Sequence, residues 1–171
     1  MRQRLRQARA DVSTMRRIFP EAERLARAAG RSEPGVDDLV LAGLDLPDGI
    51  ARRALAACGV TPRDLRAATA EVRATDRAAA GSGTDEAAAP ADRPSRGVYR
   101  SEPSMQMTFH RAVGIAKAER SHLRSRDLLL AALEAPDGVV STALDHLGVD
   151  PDALRDAVLR DGRPADDADD V

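Results

Sequence analysis

The residues best able to carry out chemistry are few and scattered along the chain. The histidines are His110, His122 and His146, and no two have the His-x-x-x-His or His-Glu-x-x-His spacing that places two metal ligands on one helix face. The single cysteine, Cys58, falls on an apolar helix face, which favours a buried small side chain over a nucleophile. Ser82 lacks the Gly-x-Ser-x-Gly spacing of a nucleophile elbow. We therefore expect no catalytic site, no metal and no cofactor.

A nucleotide site is also not expected. A phosphate-binding loop needs a lysine followed by serine or threonine within a glycine-rich turn, so that backbone amides and one ammonium group hold the phosphates. The only lysine is Lys117, which stands between two alanines, Ala116 and Ala118. The sequence thus predicts a protein that binds rather than one that turns over a substrate.

Composition points to helices. Of 171 residues 43% are hydrophobic but only 2% are aromatic, so the core must be built from aliphatic residues and abundant alanine, which suits closely packed helices. No run is long and apolar enough for a membrane span, and no secretory signal follows the first methionine. We expect a cytoplasmic, all-α protein.

The chain contains an internal duplication. The segment LVLAGLDLPDGI, which begins at Leu39, is followed 89 residues later by LLLAALEAPDGV, which begins at Leu128. Further upstream the offset is 90, which aligns Phe19 with Phe109. A repeat of this length indicates two copies of one supersecondary unit, each too small to bury a core alone. We therefore predict two four-helix repeats packed as one pseudo-twofold eight-helix domain.

Punctuating residues predict where the helices begin and end. Pro20 is expected in the first turn of a helix that ends at Gly30, and Thr61, Pro62 and Asp64 form a capping pattern for the fourth helix. Ser125 is expected to cap the second helix of the second copy.

Five regions follow from these patterns. We expect a basic N-terminal extension at 1–17, the first repeat at 18–75, a flexible linker at 76–103, the second repeat at 104–160 and a disordered acidic tail at 161–171. The net charge of −2 thus conceals an arginine-rich beginning and an aspartate-rich end.

The repeat unit resembles the Clp R repeat, which occurs twice in the N-terminal domain of Clp-family ATP-dependent unfoldases. The resemblance covers roughly residues 13–73 and 104–160 and depends on the duplication and spacing more than on one motif. It implies a free-standing N-domain without the ATPase modules, which binds substrates, adaptor proteins and, in some members, arginine-phosphorylated proteins or cyclic peptides.

Ligand-binding residues are suggested by position within this resemblance. Many family members have Gly-Thr-Glu-His where this chain has Gly-Val-Asp-Asp, ending in Asp37 and Asp38, and Arg-Ser-Arg-Asp, ending in Ser125, Arg126 and Asp127. In members that bind phosphoarginine the glutamate contacts the guanidinium. Asp37 keeps that carboxylate, whereas Arg126 replaces it. The alternative role of Asp37 and Asp38 is to stabilise the positive end of a helix dipole.

The function expected from these observations is a non-enzymatic protein- or peptide-binding module that modulates Clp-dependent proteolysis. Its expected partners are Clp unfoldase–protease components, their substrates or adaptors, with phosphoarginine or cyclic peptides as further ligands and no membrane. The alternative is a nucleic-acid-binding regulator that uses the arginine-rich first 17 residues. The chain's overall balance of charge and the acidic end disfavour nucleic acid as a partner.

Overall fold

A computed structural model describes residues 2–81 and 100–161, and all regular structure in these ranges is helical. The predicted all-α fold with four helices in each copy is confirmed. The helices are α1 (Arg2–Ala28), α2 (Val36–Gly43), α3 (Ile50–Ala57), α4 (Pro62–Ala79), α5 (Pro103–Ala118), α6 (Ser125–Ala132), α7 (Val139–His146) and α8 (Pro151–Asp161).

The predicted start of the first helix at Pro20 is wrong. Helix α1 runs through Pro20 and begins at Arg2. An interior proline normally disfavours a helix because it removes one backbone hydrogen bond. Here tertiary contacts hold the preceding turns in place, because Ile18 is fully buried in the core and Asp11 accepts a hydrogen bond from the Leu123 N–H (2.8 Å) in the second copy.

Helices α2 and α6 form the centre of the domain. They are equivalent helices of the two copies, pack against each other, and are buried over most of their length. Gly43 allows this close approach, since a Cβ atom there would lie 2.8 Å from Leu128 Cδ1 on α6. The nearly uninterrupted apolar run in each repeat therefore follows from burial on all sides.

The two copies interlock around this centre. Helix α4 of the first copy packs against α7 of the second, and α3 packs against α8, so that one hydrophobic core includes residues of every helix. At the edge of this core the half-buried Phe19 meets its own equivalent, Phe109, with ring centroids 5.0 Å apart. The copies thus form one pseudo-twofold unit, as the duplication predicts.

The two copies end their first helices differently. Gly30 follows α1 in the left-handed conformation (φ 73°), and its equivalent after α5 is Arg120 at φ 55°. Glycine adopts this conformation without steric penalty, whereas an arginine Cβ is crowded by the following carbonyl. Among the described residues Arg120 is the single non-glycine residue with positive φ.

The capping prediction for α4 is confirmed. The Thr61 side chain accepts a hydrogen bond from the Asp64 N–H (3.2 Å), and Asp64 accepts one from the Thr61 N–H (3.0 Å). The predicted capping role of Ser125 is wrong, because α6 begins at Ser125 itself and Arg124 occupies the N-cap position. The Ser125 hydroxyl instead accepts a hydrogen bond from the Ala51 N–H (3.0 Å) in the first copy.

The predicted linker and tail fall mostly outside the described residues. Helix α4 continues to Ala79 and α5 begins at Pro103, while residues 82–99 and 162–171 are not described. Within the described ranges, no helix has the length and apolar character needed to cross a membrane.

Candidate functional site

The start of α2 brings both acidic candidates of the first copy together. Asp38 accepts a hydrogen bond from the Gly35 N–H (2.8 Å), which satisfies a backbone donor that would otherwise lack a partner at the helix start. Its equivalent Asp127 accepts from the Arg124 N–H at the same distance (2.8 Å). This acid therefore supports its own helix in both copies.

Asp37 has a different role, because it holds a guanidinium. Its two carboxylate oxygens accept hydrogen bonds from Arg73 Nε (2.8 Å) and Nη2 (2.5 Å), a bidentate arrangement. Arg73 lies on α4 and also donates to Glu102 through Nη1 (2.9 Å) and Nη2 (3.1 Å). One side chain of the first copy thus joins the α2 helix start to the residue that precedes α5.

Gly35 makes room for this guanidinium. A Cβ atom built at Gly35 would lie 1.9 Å from Arg73 Nη2 and 2.6 Å from the Glu102 Oε2 atom. The glycine that opens the motif is therefore needed for space, since its φ of −109° is accessible to other residues. Larger residues at this position would displace Arg73.

A second arginine completes the cluster. Arg31 donates to Asp38 (2.7 Å) and to Asp37 (3.2 Å), and it lies 3.9 Å from Glu102. The guanidinium cluster, which consists of Arg31, Asp37, Asp38, Arg73 and Glu102, therefore contains three acids and two bases. Its groups are buried or half-buried, so their attraction is screened little by water.

Burial and pairing act in opposite directions on the charged groups of the cluster. Burial raises the pKa of Asp38 above its ordinary value despite the hydrogen bond from Arg31. Burial by itself would lower the pKa of Arg73, but hydrogen bonds to Asp37 and Glu102 outweigh it and raise the pKa. Arg73 is therefore charged throughout the physiological range, and the cluster behaves as a fixed ionic contact.

The equivalent place in the second copy has the opposite charge. Arg126 stands where the first copy has Asp37, is buried, and forms an ion pair with Glu119. Its Nε atom also lies 3.3 Å from Asp127, whose pKa is raised by burial. Among its described residues, the second copy therefore has no carboxylate at the position that Asp37 occupies in the first.

Ser125 joins the two copies through hydrogen bonds to residues of the first copy. Its N–H donates to Asp48 Oδ2 (2.9 Å) and its hydroxyl contacts the other oxygen of Asp48. Asp48 belongs to the Pro-Asp-Gly turn of the first copy and also accepts from the Ile50 N–H (3.0 Å). The equivalent residues of the other copies are Val36 and Asp137. Valine has no hydroxyl, so this pair cannot form the same side-chain hydrogen bond.

The remaining candidates for chemistry lie apart from these clusters. Cys58 is half-buried at the end of α3 and packs against the core, so it is more exposed than the buried side chain that the sequence predicted. Histidines 110, 122 and 146 are on α5, in the loop before α6 and at the end of α7. In the described ranges no group of three or more histidine, cysteine, aspartate or glutamate residues could hold a metal ion.

Three residues of the guanidinium cluster were not predicted from the sequence. Arg31, Arg73 and Glu102 lie in a loop, on the fourth helix and at the end of the predicted linker, and no motif marks them. The sequence alone does not distinguish Arg31 and Arg73 from the other arginines, of which the chain has 25 in all. Only the fold brings them to Asp37.

The structure thus defines a duplicated, interlocked all-α domain with one ionic cluster at the start of its central helix. The family model of the Clp repeat (R) N-terminal domain matches residues 13–96, which include the whole first repeat, so that repeat is identified as a Clp repeat. The second repeat lies outside this match and is related to the first by the internal duplication.

Known structures support the same fold. The N-terminal domain of the caseinolytic protease-associated chaperone ClpD from Arabidopsis thaliana is similar, with a TM-score of 0.59 and 17% sequence identity. The match covers 86% of this chain and 93% of that domain. No curated protein sequence matches the chain significantly.

Proposed function

We propose that this protein is a non-enzymatic protein- and peptide-binding module that modulates Clp-dependent proteolysis. The observation that carries the proposal is the duplicated Clp repeat, present in both sequence and fold. Its expected partners are substrates, adaptors or cyclic peptides that also bind the N-domain of a Clp unfoldase in the cytoplasm.

The two repeats favour protein surfaces over free phosphoarginine as ligands. In the first, the Asp37 carboxylate already holds the guanidinium of Arg73, which an incoming arginine would have to displace. In the second, Arg126 would repel an incoming guanidinium. We therefore propose that recognition involves the outer surfaces of the domain, where Met107 on α5 is 72% exposed.

Competition with a Clp unfoldase–protease tests the proposed function. The purified chain is added in increasing amounts to the assembled machine while it degrades an unfolded model protein. We expect a dose-dependent change in the degradation rate and direct binding of the chain to the machine or to its substrate. An unchanged rate at large excess, with no binding to either, would refute the proposed role.

Calorimetry with phosphoarginine tests the ligand preference separately. We expect no saturable binding to the wild-type chain, with unmodified arginine as the matched control. Saturable binding that disappears in Asp37→Ala would instead make the first repeat a receptor for marked substrates, and Arg73 would then be displaced in the complex.

A further inference from the structure

Three arginines on α1 lack a partner within the described part of the chain. Arg9, Arg16 and Arg17 are exposed, and no acidic side chain in the described ranges pairs with them. Later in the same helix Arg24 and Arg27 form ion pairs with Glu21 and Glu23. The charge of these three arginines is therefore not neutralised by an ion pair with any described residue.

Part of this charge lies on an N-terminal extension of α1 that the equivalent helix α5 lacks. Phe109 is the seventh residue of α5, whereas its equivalent Phe19 is the eighteenth residue of α1, so α1 begins three turns earlier. The first turn of α1 contains no acidic residue and the sequence there is rich in arginine.

An apolar side chain accompanies the charge. Val12 is 43% exposed and lies three residues after Arg9 and four before Arg16, which places all three on one side of the helix. We call Arg9, Val12 and Arg16 the α1 arginine face. A complementary partner would carry clustered carboxylates together with small apolar residues.

The chain contains one segment of this composition. Residues 162–171 have the sequence GRPADDADDV, in which four aspartates, Asp166, Asp167, Asp169 and Asp170, alternate with small apolar residues. The segment has one basic residue, Arg163. Its charge is thus opposite to that of the α1 arginine face.

The segment continues from helix α8, which a series of hydrogen bonds links to α1. Helix α8 ends at Asp161, which accepts a hydrogen bond from Arg53 Nε (2.6 Å) on α3. The start of α3 is bonded to Ser125, and Leu123, two residues earlier, is bonded to Asp11 on α1. Ten extended residues can span about 33 Å, a length comparable with the width of a domain of this size.

We propose that residues 162–171 bind the α1 arginine face of the same chain and shield it. Tethering gives such a segment an effective concentration in the millimolar range, so weak ion pairs are sufficient to keep it bound. The contact is electrostatic and therefore weakens as salt is added. Neutralising the aspartates would leave the face open to another acidic segment.

A synthetic peptide with the sequence of residues 162–171 tests this proposal. It is titrated at low salt against the wild-type chain and against the full-length variant Asp166→Asn, Asp167→Asn, Asp169→Asn, Asp170→Asn, while NMR follows the backbone amides of α1. We expect saturable shifts at Val12 and Arg16 in the variant, and at least tenfold weaker binding to the wild type, whose own segment competes.

Matched substitutions locate the contact. Arg9→Gln with Arg16→Gln, introduced into the neutralised variant, should abolish peptide binding, whereas Arg77→Gln on exposed α4 should leave it unchanged. Equal binding to wild type and neutralised variant, or no binding to the variant, would overturn the proposal. So would self-association of the wild type that the four Asp→Asn changes remove, because the segment would then bind a second copy.

Discussion

At the scale of single residues, Arg73 is the side chain that pairs with two of the three acids of the guanidinium cluster. Its guanidinium is 19% exposed and bidentate toward both Asp37 and Glu102. Replacing it by methionine keeps the apolar stem but leaves two carboxylates without their main partner. We expect Arg73→Met to lower the free energy of unfolding by about 2 to 3 kcal/mol, as measured by urea denaturation.

Arg77 provides the matched control for this substitution. It lies one turn further along α4, is exposed, and forms no ion pair with any described residue. Arg77→Met should therefore change the free energy of unfolding by less than about 0.5 kcal/mol. Equal losses in the two variants would show that the cluster contributes nothing beyond ordinary surface charge.

Burial of Asp127 predicts a dependence of stability on pH. The pKa of this carboxyl is raised above 3.8, so the unfolded chain ionises first as pH increases and the folded protein retains the proton. The free energy of unfolding of the wild type therefore falls between pH 3.8 and the raised pKa. Asp127→Asn keeps an acceptor for the Arg124 N–H but removes this titration, so its stability relative to wild type should increase across that window.

Asp64 gives a control of opposite sign. Hydrogen bonds from Thr61 lower the pKa of Asp64, so its ionisation favours the folded protein as pH rises. Asp64→Asn should accordingly lose stability relative to wild type as pH increases toward 3.8. Thermal denaturation between pH 3 and 6 measures both variants, and parallel curves for the two would contradict the assignment.

Asp37 and Asp38 show how far the sequence informs about single residues. Their position at a helix start was predictable, and so were both roles considered for them, guanidinium binding and helix-end stabilisation. The structure assigns the second role to Asp38 and pairs Asp37 with a guanidinium of this chain. Arg73 could not be predicted as its partner because the two residues are 36 positions apart and meet only through tertiary packing.

At the scale of helices, the ends of α1 and α5 offer a paired experiment. Arg120 has a left-handed backbone at a position where the first copy has Gly30. We expect Arg120→Gly to raise the free energy of unfolding by about 1 kcal/mol, because the steric penalty disappears. Chemical denaturation measures this difference.

Gly30→Ala should give the reverse result. A Cβ atom at Gly30 meets no neighbour within 4 Å, so any effect arises from the backbone conformation (φ 73°) and not from crowding. A loss of about 1 kcal/mol is expected. If both substitutions destabilise the protein, Arg120 makes a side-chain contact that outweighs its strained backbone.

Helix α1 shows why helix ends are harder to predict than helix types. Periodicity and capping residues predicted most helices of the repeat, including the Thr61 cap of α4. The rule for proline failed at Pro20 because it considers local hydrogen bonds only. Contacts from the other copy, such as the hydrogen bond from the Leu123 N–H to Asp11, hold the part of α1 that precedes Pro20.

At the scale of the whole molecule, the interlocked repeats predict that the domain survives a break in the chain. Helices α3 and α4 pack on α8 and α7 of the other copy, so the core does not depend on the covalent connection. A protease site introduced between residues 82 and 99 should yield two fragments that still elute together in gel filtration. Fragments that separate without denaturant would contradict a shared core.

The duplication made the overall fold predictable. One repeat of this size cannot bury its apolar helix faces alone, so two copies had to share a core, and the pseudo-twofold arrangement followed from their equivalence. The sequence did not reveal which helices of one copy pack against which helices of the other. That depends on side-chain packing such as the contact of Gly43 with Leu128.

The contact between Phe19 and Phe109 has an implication for how the domain evolved. A residue that touches its own equivalent is typical of an isologous interface, the arrangement found in homodimers. An ancestral single repeat with this phenylalanine would have assembled as a symmetric pair, and gene fusion would have made the partnership permanent. Once both halves were inherited together, each could change independently, and the opposite charges of Asp37 and Arg126 record that divergence.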